Sequence, residues 1–333
     1  MILKQTAILG TGGWGTALAV LWASHGNEII LWGHTPERVE TISRTRQNPE
    51  YLPGAELPPN VHLTSQLADC AAAELIVFVT PSVVLREVAS LLLDKLKNPS
   101  AILMSCTKGI EHGTGMRMSE ILAEQFPTNP VAVLSGPNLA VEIARGLPSA
   151  TVLGCRGEGI AETLQATLGS SRFRVYTSHE VTGIELGGAL KNIFAIPAGV
   201  SDGFGFGDNS KAALVTRSLA ELLRLGVAMG GDARTFQGLS GVGDLIATCF
   251  SRHSRNRQLG EQLGKGKSLA EITRGTKTVA EGIPTSRSAF ECARRLGIET
   301  PIIDQVYAVL HEGKSPAQAM QELLGRDQKS ERG

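Results

Sequence analysis

The stretch Ala7-Ile8-Leu9-Gly10-Thr11-Gly12-Gly13-Trp14-Gly15-Thr16-Ala17-Leu18-Ala19 decides how this chain reads. Three apolar residues run into Gly10. Glycines fall at Gly10, Gly12 and Gly15, and Leu18, Leu21 and Trp22 then recur at helical spacing. That order predicts strand, tight turn and helix. In a G-x-G-x-x-G turn the first glycine allows the bend. The second lets a pyrophosphate approach the backbone, and the third lets the helix pack close to the strand. The helix N-terminus adds free N–H groups and the positive end of a dipole. A second strand over Glu28 to Trp32 follows at the distance a βαβ unit requires.

The end of that second strand refines the expectation. NAD-specific folds usually place an acid there to hold the adenosine ribose hydroxyls. Here the sequence is Leu31-Trp32-Gly33-His34-Thr35, without one. His34 and Arg38 stand where a 2′-phosphate would sit, so NADP(H) is expected as cofactor, with or without NAD(H). The competing reading makes them ordinary surface residues.

With 333 residues the chain has room for two domains. Hydrophobic residues make up 42% and charged residues 19%. Lys plus Arg equals Asp plus Glu at 32 each, and the pI is about 7.1. That balance gives no electrostatic case for nucleic acid or an anionic membrane as partner. Five cysteines, Cys70, Cys106, Cys155, Cys249 and Cys292, lie far apart with no metal-ligand spacing. They suit reduced thiols in a cytoplasm, and no metal is expected. The glycines at 10, 12, 13 and 15 interrupt the apolar N-terminal stretch, so it reads as strand and helix rather than signal peptide. No apolar run reaches membrane-spanning length.

Further strands are expected at Leu75 to Val79, Ala101 to Ser105, Val131 to Leu134, Ala150 to Leu153 and Phe173 to Tyr176. Alternating with helices, they predict an α/β protein whose N-terminal half is a Rossmann-type, parallel, doubly wound sheet. Ligands then bind beyond the carboxyl ends of the strands. Gly12, His34, Thr80-Pro81, Lys108 and Gly136 would line one crevice. The segment from Pro49 to Pro59 reads as an extended loop over it. After Ser178 only helices are expected: His179–Ile196, Asn209–Met229, Ser240–Cys249, Ser254–Leu263, Pro284–Leu296 and Pro301–His311. The organisation is therefore a dinucleotide-binding domain over 1–178, an all-α domain over 179–325 and a disordered charged tail over 326–333.

Isolated charges mark the chemistry. Lys191 is the only charge between Glu185 and Asp202, on a helix whose Gly187-Gly188 pair permits close packing. Asp244 is the only charge between Arg234 and Arg252, and Thr248 shares its helix face. A charge in so apolar a setting needs partners. Lys191 reads equally as a snorkelling surface residue, and Asp244 as a helix cap. Taken together they suggest one polar site. Ser254, Arg255 and Asn256 open a helix, an arrangement suited to a phosphate monoester, though also to a basic solvated helix start.

These segments resemble the NAD(P)-dependent glycerol-3-phosphate dehydrogenase family of bacterial type. The motifs are Gly10 to Ala17, Leu31 to His34, Thr107-Lys108-Gly109-Ile110, Ser135-Gly136-Pro137-Asn138, Leu190-Lys191-Asn192, Ser201-Asp202-Gly203, Gly241 to Leu245, Ser254-Arg255-Asn256-Arg257 and Val279-Ala280-Glu281-Gly282. The resemblance covers nearly the whole chain. It implies reversible reduction of dihydroxyacetone phosphate to sn-glycerol 3-phosphate, the backbone precursor of phospholipids, and a homodimer. It makes Lys191 the proton donor and acceptor. Lys108, Gly136, Asn138, Asp244, Ser254, Arg255 and Asn256 match substrate positions. Gly13, Trp14, His34, Lys108, Ala140, Arg255, Val279 and Glu281 match cofactor positions. Gly13 departs from the family's frequent Ser, and Asn138 from its Ser or Thr. On this reading Asp244 and Asn192 orient Lys191, with Thr248 ordering the group. A related hydroxyacid dehydrogenase and a non-catalytic NAD(P) sensor are the alternatives.

Overall fold

A computed structural model of the chain describes residues 3–274, 280–327 and 330. The strands are β1 (Gln5–Leu9), β2 (Glu28–Trp32), β3 (Gln47–Asn48), β4 (Leu52–Glu56), β5 (Val61–Thr64), β6 (Leu75–Phe78), β7 (Ile102–Ser105), β8 (Val131–Ser135), β9 (Ser149–Cys155) and β10 (Phe173–Ser178). Eight of them form one sheet in the order β10-β9-β8-β7-β6-β1-β2-β5, while β3 and β4 make a separate hairpin. The chain leaves β1 toward β2 and β5, then crosses back to place β6 on the other side of β1. That reversal opens a crevice beyond the carboxyl ends of β1 and β6, where such sheets bind their ligands.

Strand β6 shows why the sheet is buried on both faces. Leu75 and Val77 point into one apolar cluster with Leu18, Trp22 and Leu31. Ile76 and Phe78 point into another with Leu85, Leu103 and Phe126. The helices α1 (Gly13–Ala23), α2 (Pro36–Thr45), α3 (Leu85–Leu93), α4 (Met118–Gln125), α5 (Ala140–Ala144) and α6 (Ile160–Leu168) connect and cover the strands.

The sheet is not wholly parallel as the alternation suggested. β9 runs antiparallel to β8 while pairing in parallel with β10. The cause is the connection. A parallel crossover must carry the chain back along the sheet, and the five residues of α5 rise only about 7.5 Å. The chain therefore turns and re-enters from the same end. β5 and the β3–β4 hairpin were not anticipated; the hairpin occupies the stretch expected as a loop.

Beyond Ser178 the described chain is helical: α7 (Val181–Gly203), α8 (Asp208–Ala228), α9 (Asp244–Phe250), α10 (Arg255–Gly264), α11 (Leu269–Thr273), α12 (Gly282–Leu296), α13 (Pro301–His311) and α14 (Pro316–Leu324). Helix α7 is the central post, with every residue from Val181 to Ser201 buried. A helix apolar on all sides must be surrounded, and Leu190, Ile193 and Phe194 pack with Leu222, Phe236 and Leu245. Contrary to expectation α7 does not stop at Ile196. It runs through Pro197 to Gly203, because tertiary packing outweighs the loss of one helical N–H. Glycines bring α10 against it. A Cβ on Gly260 would lie 1.9 Å from the Ile196 carbonyl oxygen, and one on Gly199 the same distance from that of Arg257. No helix among the described residues is long and apolar enough to cross a membrane.

Candidate active site

Lys191 projects from α7 and is 7% exposed. Its ammonium donates to Asp244 Oδ1 at 2.7 Å and to Thr248 Oγ1 at 2.6 Å. Asp244 and Thr248 stand one turn apart on α9. The second Asp244 oxygen accepts from Lys108 Nζ at 2.6 Å. Lys108 comes from the loop after β7 and also donates to the Gly136 carbonyl at 3.0 Å. One buried carboxylate thus joins a lysine of the helical half to a lysine of the sheet half. Burial is the main force on Lys191 and lowers its pKa to about 8. Asp244 opposes that shift and Lys108 adds to it.

Glycines set the distances. A Cβ on Gly188 would fall 2.3 Å from Ser135 Oγ at the end of β8, and one on Gly187 would fall 2.5 Å from the Ser240 carbonyl oxygen. Gly136 has φ +145° and faces Thr151 so closely that a Cβ would lie 3.1 Å from its Cα.

Asn192, expected to help orient Lys191, makes its side-chain hydrogen bond elsewhere. Its Oδ1 accepts from Asn256 Nδ2 at 2.9 Å, and Asn256 Oδ1 in turn accepts from the Gly282 N–H at 2.9 Å. Neighbours on a helix point about 100° apart, so Asn192 and Lys191 face different elements. Asn192 instead locks the start of α10 and of α12 to α7. Ser254 caps α10 by accepting from the Arg257 N–H at 3.2 Å. Arg255, the first residue of α10, opens to solvent between Glu281 and Tyr51. Surrounding protein lowers its pKa, and both neighbours oppose the shift. Asn138 donates to the Ala150 carbonyl at 3.2 Å and accepts from Thr151 Oγ1 at 3.0 Å. Its amide therefore braces β9.

The turn after β1 fits a dinucleotide. Gly10 has φ +132°, and a Cβ there would lie 2.8 Å from the Val79 carbonyl oxygen. A Cβ on Gly15 would lie 2.0 Å from the Gly10 carbonyl oxygen, while the space beside Gly12 is open. Gly12 starts α1 without a side-chain cap, leaving first-turn N–H groups for a phosphate. Ala140, at the start of α5, faces Gly13, and Trp14 is partly buried against the core. His34, after β2, bonds Thr35 Oγ1 at 3.1 Å. Glu281 accepts from the Ser82 N–H at 3.1 Å and from Ser82 Oγ at 2.6 Å. Val279 lies outside the described residues.

Three neighbours were not among the expected site residues: Ser82, Ser135 and Tyr51. Ser82 follows Thr80-Pro81 with no chemical signal of its own, Ser135 entered only within a family motif, and Tyr51 lay in presumed loop.

The comparisons agree with this geometry. A sequence model described as the NAD-dependent glycerol-3-phosphate dehydrogenase N-terminus matches residues 5–161, and its C-terminal counterpart matches residues 180–321. The glycerol-3-phosphate dehydrogenase (NAD(P)+) of Streptomyces griseus is 46% identical over 331 residues, 98% of each chain. That of Chlorobium phaeobacteroides is 45% identical over 98% of this chain and 99% of its own. The crystal structure of glycerol-3-phosphate dehydrogenase from Coxiella burnetii superposes with a TM-score of 0.94 at 36% identity, covering 97% of this chain and 99% of the other. With a dinucleotide cradle on one side of a Lys–Asp–Lys junction and a capped helix start on the other, the chain belongs to the NAD-dependent glycerol-3-phosphate dehydrogenase family.

Proposed function

We propose the following roles for this chain's residues in the reversible, NAD(P)H-dependent reduction of dihydroxyacetone phosphate to sn-glycerol 3-phosphate, the reaction of its family. Residues 1–178 act as the dinucleotide unit and 179–325 as the substrate unit. The backbone of Gly10, Gly12, Gly13 and Trp14 holds the pyrophosphate. Gly15 lets α1 pack close to the turn after β1, Ala140 at the start of α5 faces Gly13, and His34 meets the adenosine ribose. Arg255 and Glu281 approach the cofactor from the helical side. When bound, the nicotinamide supplies the hydride.

The remaining work falls to side chains. Lys191 stands at the carbonyl oxygen, stabilises the negative charge that grows there, and delivers the proton. Asp244 and Thr248 fix its ammonium. Lys108 and Gly136 frame the same oxygen-bearing end from the sheet side, with Asn138 bracing that wall. Ser254, Arg255 and Asn256 hold the phosphate at the start of α10, which fixes the carbonyl relative to Lys191. The observation that carries this reading is the Lys191–Asp244–Lys108 bridge. A homodimer in a cytoplasmic setting completes the proposal; the free thiols of all five cysteines support the setting.

The test is oxidation of NADPH and NADH by purified protein with dihydroxyacetone phosphate, dihydroxyacetone and several 2-keto acids. Fast turnover confined to the phosphorylated ketone is the expected result. Turnover with a keto acid instead would overturn the substrate assignment.

A further inference from the structure

The β3–β4 hairpin lies over the cofactor turn and is tied to it. Asn48, 1% exposed, donates from Nδ2 to the Thr11 carbonyl and to Thr16 Oγ1, both at 2.8 Å. The Tyr51 carbonyl oxygen sits 2.8 Å from where a Cβ on residue 13 would stand. A serine at position 13 would therefore push the hairpin away, and Gly13 lets it down onto the turn. The hairpin's tip then meets α2. Arg38 Nε donates to Glu50 Oε2 at 3.2 Å, and the Arg38 guanidinium lies 4.8 Å over the Tyr51 ring. Arg38 belongs to the first turn of α2, just beyond the strand end that carries no acid.

We propose that Glu50 is a selectivity residue for the dinucleotide: its carboxylate occupies Arg38 and so penalises a cofactor bearing a 2′-phosphate. The inference rests on the reading that Arg38 faces the 2′ position of the adenosine ribose. A phosphate monoester there meets a guanidinium already engaged by an anion, and a second negative charge beside it. To use Arg38 it must displace Glu50. A cofactor with a free 2′-hydroxyl leaves the pair intact. Side-chain exposures of 22% for Arg38 and 28% for Glu50 leave the pair partly screened, so the penalty is moderate. It diminishes with added salt.

Equilibrium binding of NADPH and NADH, followed by protein fluorescence, tests the assignment on Glu50→Gln and Arg38→Gln variants. In Glu50→Gln the dissociation constant for NADPH should fall roughly three- to tenfold, with that for NADH changing less than about twofold. The gain should vanish when Arg38→Gln is added. If Arg38→Gln alone leaves NADPH binding unchanged, Arg38 does not face the 2′-phosphate and the underlying reading fails. If Arg38→Gln weakens NADPH but Glu50→Gln does not tighten it, the selectivity role of Glu50 is overturned and the 2′-phosphate reading stands. Unchanged thermal melting of Glu50→Gln confirms that the hairpin is retained.

Discussion

Lys191 owes its chemistry to a contest between burial and one carboxylate. Burial holds its pKa down to about 8, while Asp244 pulls it up. In the proposed reaction reduction draws its proton from Lys191, so its rate should fall as pH rises through about 8; oxidation of glycerol 3-phosphate would need the neutral amine and should rise through the same range. Removing the charge in Asp244→Asn takes away the force that raises the pKa. The falling limb of reduction should then move to lower pH in a kcat–pH profile, and an upward move would contradict the assigned polarity. Lys191→Ala should lower kcat roughly 10²–10⁴-fold with cofactor binding retained; near-normal turnover would remove Lys191 from the chemistry. Lys191, Asp244 and Thr248 were legible in the sequence because isolated charges in apolar helices need partners, and four-residue spacing puts two groups on one face. Lys108 was placed in the crevice, but its bond to Asp244 was not legible. The two lie 136 residues apart in the chain, in different halves. The Glu281–Ser82 contact, 199 residues apart, was hidden for the same reason.

At the scale of elements, the site stands on helix crossings set by glycine. α10 presents Ser254, Arg255 and Asn256, and its height against α7 is fixed where Gly260 meets the Ile196 carbonyl. Gly260→Ala must push the two backbones apart. It should destabilise the protein by about 1–3 kcal/mol in urea unfolding, and raise the KM for dihydroxyacetone phosphate more than that for the cofactor. Equal stability in the variant would mean that the crossing yields at no cost. Element type was largely readable, since β6 is an unbroken apolar run and α13 begins at a proline suited to its first turn. Three features were not. The direction of β9 is set by the length of the preceding connection, not by anything within the strand. The His62 and Thr64 side chains make β5 look like loop until it pairs with β2 at the sheet edge. Pro197 carries a stop signal that packing against α10 overrides.

At the scale of the whole molecule, sheet and helical halves meet through charged side chains as well as apolar ones. Arg117 at the start of α4 pairs with buried Glu185 on α7 at 2.6 Å, Ser82 meets Glu281, and Lys108 reaches Asp244. The last contact also tunes the site. Lys108 lowers the Lys191 pKa, so Lys108→Met should move the reduction limb to higher pH, opposite to Asp244→Asn, in the same kcat–pH measurement. A shift in the same direction for both variants would contradict a through-space effect. With both lysines protonated, two ammoniums enclose one carboxylate, so the cluster is an ionic lattice short of one anion. In the proposed reaction the oxygen that gains negative charge supplies that missing anion. If the halves part, Lys108 leaves and the Lys191–Asp244 pair that remains is neutral. On the proposed reading the net positive charge that receives an oxyanion then belongs to neither half of the protein; it arises while the two are in contact.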